Sequence, residues 1–121
     1  MHHLKRKLTH VQPSFKALLV LWREEFSFRL QAACAIAAGA ASFVFRISEL
    51  EFLIVVLTIG AVLAVEALNT AIEELCNHVT PDQHPQIGKV KDLASGASGI
   101  IQMTALVIGL IIFIPHVATL L

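Results

Sequence analysis

A chain of 121 residues is long enough for one domain, and 56% of these residues are hydrophobic. A mean hydropathy of +0.75 excludes an ordinary soluble domain of this size. The formal net charge is zero, yet the charges are unevenly placed: Lys5, Arg6, Lys7, Lys16, Arg23 and Arg29 precede the first apolar segment, Lys89 and Lys91 separate the second from the third, and Arg46 stands alone between the first and second.

Residues 1–12 are polar and basic and are expected to form a tail. They are not followed at once by an apolar core with a small-residue cleavage site, so no signal peptide is expected. Pro13 suits the first turn of a helix. In residues 13–29, Phe15, Leu18, Leu19, Trp22 and Phe26 repeat at helical spacing against Lys16, Arg23, Glu24, Glu25 and Arg29. That pattern predicts an amphipathic helix lying on a membrane surface, with Trp22 at the headgroup level. Residues 30–47, rich in Ala and including Gly39, form the first expected span, since small residues let helices approach closely in a bilayer. A second span is expected over 50–76, a loop containing Pro81 and Pro85 over 77–89, and a third span over 90–121. With these spans, every Lys and Arg except Arg46 falls on one side, which the positive-inside rule makes cytoplasmic. Cys34 and Cys76 then lie in different spans, and no disulfide is expected.

The residues before Glu66, from Phe52 to Val65, carry no charge. Glu66, Asn69 and Glu73 follow at steps of three, four and seven residues, which return to one face of a helix. Two carboxylates and an amide thus share a stripe where a span approaches water. Ionisable groups at that depth are costly and mark a functional site by default. With Glu25 they form a carboxylate set suited to holding a divalent cation or deprotonating a hydroxyl. Glu74 points to another face, where an end-capping role suffices.

A second cluster comprises Lys89, Lys91, Asp92 and Ser95, with Gln102 seven residues after Ser95 on the same stripe. A lysine beside free backbone N–H groups at a helix start favours phosphate, and Gly88, Gly96 and Gly99 are expected to permit close approach. The charge topology alone also accounts for lysines here. Cys76, His78 and His84 offer only three loosely spaced ligands, so no zinc site is expected. Glu66, Asn69, Glu73, Ser95, Ser98 and Gln102 all need polar partners, which points to a homo-oligomer.

The run Glu66-Ala-Leu-Asn69-Thr-Ala-Ile-Glu73, then Val79-Thr-Pro-Asp-Gln-His84-Pro and Lys89-Val-Lys91-Asp92-Leu-Ala-Ser95-Gly-Ala, resembles the prokaryotic diacylglycerol kinase and undecaprenol kinase family. The likeness extends back through Ser14-Phe-Lys16-Ala and Glu25-x-x-x-Arg29 and covers roughly residues 14–100. It implies an all-α integral membrane protein, with three transmembrane helices and a surface helix per subunit, assembled as a homotrimer in the bacterial inner membrane. The implied activity is transfer of the γ-phosphate of ATP, with Mg²⁺, to the hydroxyl of diacylglycerol or undecaprenol.

By the same resemblance Glu66 matches the catalytic base, and Glu25 and Glu73 match metal ligands that also approach the nucleotide. Arg6, Asn69, Asp82, Gln83, His84, Lys91 and Asp92 match nucleotide contacts. Trp22, Arg29, Glu66 and Ser95 match the lipid site. Asn77 stands where the family often carries an aspartate. The Glu25–Arg29 stretch with Trp22 is similar to the diacylglycerol type, and the loop from Cys76 to Pro85 to the undecaprenol type. No nucleic-acid partner is expected. Two other readings compete from the residues alone: a small transporter using Glu66 as a proton-linked carboxylate, and a structural membrane subunit without chemistry.

Overall fold

The computed structural model describes the backbone of residues 2–79 and 84–121, and the side chains of residues 13–79 and 84–121. The described residues form four helices: α1 (His2–Glu24), α2 (Phe26–Val44), α3 (Glu49–Val79) and α4 (Pro85–Ala118). The last three are long and apolar enough to cross a membrane. The fold is therefore all-α, with three candidate spans. At 31 residues α3 is about 46 Å long, well beyond the roughly 30 Å hydrocarbon core it has to cross. Glu73 and Asn77, both exposed, lie in its last turns.

Packing follows chain order. α3 runs antiparallel along α4, α2 lies against α3, and α1 touches mainly α2. The core is thin: Val55 and Val62 of α3, Ala94 and Ile112 of α4 and Phe28 of α2 are buried, and among the described residues no side chain is fully enclosed. Leu53, Leu57, Ile100, Leu106 and Leu110 point outward, as suits helices whose solvent is lipid. Hydroxyls within the spans satisfy themselves. Ser42 donates to the Ala38 carbonyl at 2.8 Å, Thr58 to Ile54 at 2.7 Å, and Thr104 to Ile100 at 2.9 Å.

The turns are chemically specified. α2 closes with the Arg46 N–H on the Phe43 carbonyl and the Ile47 N–H on the Ser42 carbonyl, both at 3.3 Å. This paired closure requires a left-handed residue, and Arg46 takes it with φ 50°. Two residues later Ser48 opens α3. Its Oγ accepts from the Glu51 N–H and the Glu51 carboxylate accepts from the Ser48 N–H, each at 3.1 Å. Such a reciprocal box satisfies two N–H groups that a helix start leaves unpaired. At the far end of α4, His116 lies 3.7 Å from the Glu51 carboxylate, so α4 closes beside the start of α3.

Several boundaries differ from expectation. α1 begins at His2, and Pro13 sits inside it rather than opening it. Leu4, Lys5, Arg6 and Lys7 are good helix formers, and α1 continues through Pro13 although that residue lacks an N–H and crowds the carbonyl four residues back. The surface helix stops at Glu24 rather than at 29, because Glu25 turns extended, with φ −111° and ψ 107°. No Gly or Pro marks this elbow. It sacrifices few hydrogen bonds: the Glu25 N–H still reaches the Leu21 carbonyl at 3.0 Å, and its own carbonyl accepts from Arg29 at 3.2 Å. Leu21 and Phe28 are buried on either side of it. Arg29 therefore stands in the first turn of a span.

α4 begins at Pro85 rather than near residue 90, because His84 caps it and Pro85 fits its first position. Lys91 consequently lies almost two turns inside α4, away from the free N–H groups. Within this chain a Cβ at Gly88, Gly96 or Gly99 would meet nothing within 4 Å, so these glycines do not mark a tight contact between its own helices. Cys34 and Cys76 are both free.

A left-handed backbone costs a residue with a Cβ about 1–2 kcal/mol, and glycine escapes that cost. Arg46→Gly is expected to raise the thermal midpoint in detergent micelles by an amount equivalent to about 1 kcal/mol. Arg46→Ala, which keeps the Cβ, is expected to leave it unchanged. Equal midpoints for the two variants would refute the strain.

Candidate functional site

The centre of the site is the Glu66 carboxylate. Glu66 projects from α3 toward α4 and is 5% exposed, the most buried charged side chain among the described residues. From α4, the Ser98 hydroxyl donates to Glu66 Oε2 at 2.8 Å, and Gln102 Nε2 donates to Ser98 Oγ at 3.0 Å. Ser98 is as buried as its partner. Among the described residues nothing donates to Glu66 Oε1.

One turn further along α3 lies Asn69. Its Oδ1 is buried and accepts no hydrogen bond. Thr70 beside it is buried, and Glu73, another turn on, is exposed and unpaired among the described residues. Asn77 then meets α4 again, its Oδ1 accepting from Lys91 Nζ. Glu66–Ser98 and Lys91–Asn77 thus clamp α3 to α4 at two levels, about 16 Å apart along α3. Between the clamps the sequence of α4 is Ala94, Ser95, Gly96 and Ala97, all small, of which Ala94 is buried and the other three are exposed.

The other expected site residues scatter around this strip. Asp92 and Ser95 are exposed, and Lys91 is half-buried. Glu25 is half-buried at the elbow, while Trp22 and Arg29 are exposed. The Arg29 guanidinium sits 6.0 Å from the Phe26 ring centre. No hydrogen bond or ion pair among the described residues joins Glu25, Trp22 or Arg29 to the α3 strip. His84 caps α4, its Nδ1 accepting from the Gln86 N–H at 3.2 Å, so one ring nitrogen is already engaged. Asp82, Gln83 and the Arg6 side chain lie outside the described residues.

Among the described residues no three His, Cys, Asp or Glu side chains converge to hold a metal unaided. Mg²⁺ rarely asks for that: it is usually held by one or two carboxylates with the substrate's phosphates. The unpaired Glu73 and the orphan Asn69 oxygen are the right donor type.

Ser98 is the residue whose place sequence reasoning missed. It was expected only as a polar residue in need of a partner, because its pairing with Glu66 depends on the antiparallel register of α3 on α4. Beyond Gln102, away from Glu66, a cavity of about 300 Å³ opens between α2, α3 and α4, bordered by Gln31, Cys34, Thr58 and Phe113 as well as Gln102.

The sequence model of the family described as prokaryotic diacylglycerol kinase matches residues 12–113. The chain is 38% identical over 93 residues, 77% of this chain and 76% of the relative, to a Bacillus subtilis (strain 168) protein named undecaprenol kinase. It is 25% identical over 103 residues, 85% of this chain and 84% of the relative, to an Escherichia coli (strain K12) protein named diacylglycerol kinase.

A buried acceptor without a donor costs about 1–3 kcal/mol. Asn69→Leu, of similar size, is therefore expected to raise the thermal midpoint in micelles. A lowered midpoint would mean that Asn69 Oδ1 has a partner in the assembled protein.

Proposed function

This chain belongs to the prokaryotic diacylglycerol kinase family and is a membrane lipid kinase, and from that premise we propose that it moves the γ-phosphate of ATP onto a lipid hydroxyl at the cytoplasmic membrane interface. The observation that carries this reading is the buried Glu66 carboxylate, with Oε2 held by Ser98 and Oε1 open. A lipid alcohol rising from the bilayer meets that open oxygen. Glu66 takes the hydroxyl proton, the lipid oxygen bonds to the γ-phosphorus, and the bond to the β–γ bridging oxygen breaks as ADP leaves with the electron pair. Phosphoryl transfer asks for positioning and charge neutralisation more than for covalent chemistry.

Glu25 and Glu73 would hold Mg²⁺ together with the nucleotide phosphates, and Asn69 Oδ1 would add a third oxygen or position the transferred group. The ion's contribution when bound is to neutralise phosphate charge. Lys91 meets the phosphates with its charge intact, since its partner Asn77 is neutral. Asp92, His84, Asp82, Gln83 and Arg6 complete the nucleotide side. Trp22, Arg29 and Ser95 border the lipid.

Undecaprenol is placed ahead of diacylglycerol, on the support of the 38% relative that carries the polyprenol name. The functional unit is a homotrimer in the bacterial inner membrane. The N-terminus and the α3–α4 connection face the cytoplasm, as supported by the confinement of every Lys and Arg except Arg46 to that side.

Labelled γ-phosphate transfer from ATP in mixed micelles, with undecaprenol and diacylglycerol side by side, tests the reading. Loss of a general base costs about 10²–10⁴-fold, so Glu66→Gln is expected to lower transfer by that factor while insertion is retained. Lys91→Met is expected to raise the KM for ATP about tenfold, the loss of one charge-assisted contact, with the lipid KM unchanged. Product from neither lipid with folded protein and Mg²⁺ present would overturn the substrate assignment.

A further inference from the structure

We propose that Ser98, backed by Gln102, is a positioning residue that holds the Glu66 carboxylate in its reactive orientation. The proposal rests on the reading of Glu66 as the base. Three observations carry it. Ser98 Oγ and Glu66 Oε2 are 2.8 Å apart, and both residues are almost wholly buried, at 6% and 5% exposure, so water does not compete for the bond. A serine hydroxyl has one proton to give and lone pairs to receive with. Gln102 Nε2, 3.0 Å away, occupies the accepting side, so the proton is directed at Glu66. Finally, Glu66 Oε1 receives nothing from the described residues.

A carboxylate is planar. Fixing Oε2 at a short distance fixes where Oε1 can stand, up to rotation about one axis. A base on a flexible side chain between apolar helices would otherwise sample several rotamers, and few of them would meet a hydroxyl at the membrane interface. Reacting groups have to be held close to the productive geometry for the rate to benefit. A chain of hydrogen bonds that polarise one another strengthens the terminal bond to Oε2. Gln102 itself is exposed and borders the cavity between α2, α3 and α4, so the far end of this hydrogen-bond chain lies at the edge of the packed core.

The alternative is that the Ser98–Glu66 bond only ties α4 to α3. The two roles separate in the kinetics. In purified full-length protein assayed with ATP and the better lipid, Ser98→Ala is expected to lower kcat about tenfold or more, the effect of one hydrogen bond to a charged group. Both KM values should stay within about twofold, because the interaction is with the base and not with either substrate. Ser98→Thr, which keeps the hydroxyl, is expected to recover most of kcat. Gln102→Leu is expected to lower kcat about threefold in the native background and to have no further effect on top of Ser98→Ala, since it acts through that hydroxyl.

Thr104→Ala, which removes a hydroxyl bonded only to its own helix, is the control expected to leave kcat unchanged. Full kcat in Ser98→Ala, alongside loss of transfer in Glu66→Gln, would overturn positioning and leave the base assignment standing. A raised lipid KM at unchanged kcat would overturn it in favour of a lipid contact. Additive losses from Ser98→Ala and Gln102→Leu would overturn the relay even if Ser98→Thr failed to assemble. Undiminished transfer by Glu66→Gln would remove the base reading itself and this proposal with it.

Discussion

A carboxylate enclosed between two apolar helices has to be answered by hydrogen-bond donors, and the packing of α3 on α4 is organised by that demand. Leaving a charged group buried and unpaired costs far more than a typical packing contact returns. Glu66 meets the demand with a single hydroxyl from Ser98, itself oriented by Gln102. The bond forms at only one rotation and axial register of α4 on α3, the register that Lys91–Asn77 and His116–Glu51 also share. The thin apolar core could not set register so sharply, being made of a few buried Val, Ala and Ile side chains whose ridges slide more easily.

Once that register is set, the rest of the strip follows. About three turns beyond Glu66 the same helices meet again through Lys91 and Asn77. The interval between is left with small α4 residues and the polar α3 side chains Asn69 and Glu73. An unpaired buried oxygen and an exposed acid side by side are poor for stability and useful to a ligand that brings its own charge and cations. The cost of keeping them is spread over a fold that otherwise satisfies its polar groups within each helix, as Ser42, Thr58 and Thr104 do.

Much of this was legible in the residue order. Three uncharged stretches announce three spans, and the Glu66, Asn69, Glu73 spacing announces a polar face, because helical periodicity is local. The Ser48–Glu51 capping box and the helix start at His84-Pro85 were not expected: Pro85 was placed in a loop and the third span several residues later. The elbow at Glu25 was not legible. It carries no Gly or Pro, and its geometry is tolerated because the flanking hydrogen bonds survive. Ser98 was visible as a polar residue in need of a partner. That the partner is Glu66 depends on antiparallel register, a long-range property that one helix's pattern does not encode.

The short connection between α2 and α3 has a consequence for depth. Arg46 is held left-handed, Ser48 and Glu51 are locked in a reciprocal cap, and His116 sits against the same carboxylate, so this end of α3 has little slack. From Glu51 to Glu66 the helix rises about 22 Å, against roughly 30 Å of hydrocarbon. The difference, about 8 Å, is the hydrocarbon that α3 still has to cross after Glu66 when its capped end stands at one edge of the core. The distance from the cap to Glu66 is thus set by the helix and not by slack in the connection, so the depth of Glu66 changes with the thickness of the bilayer that α3 crosses.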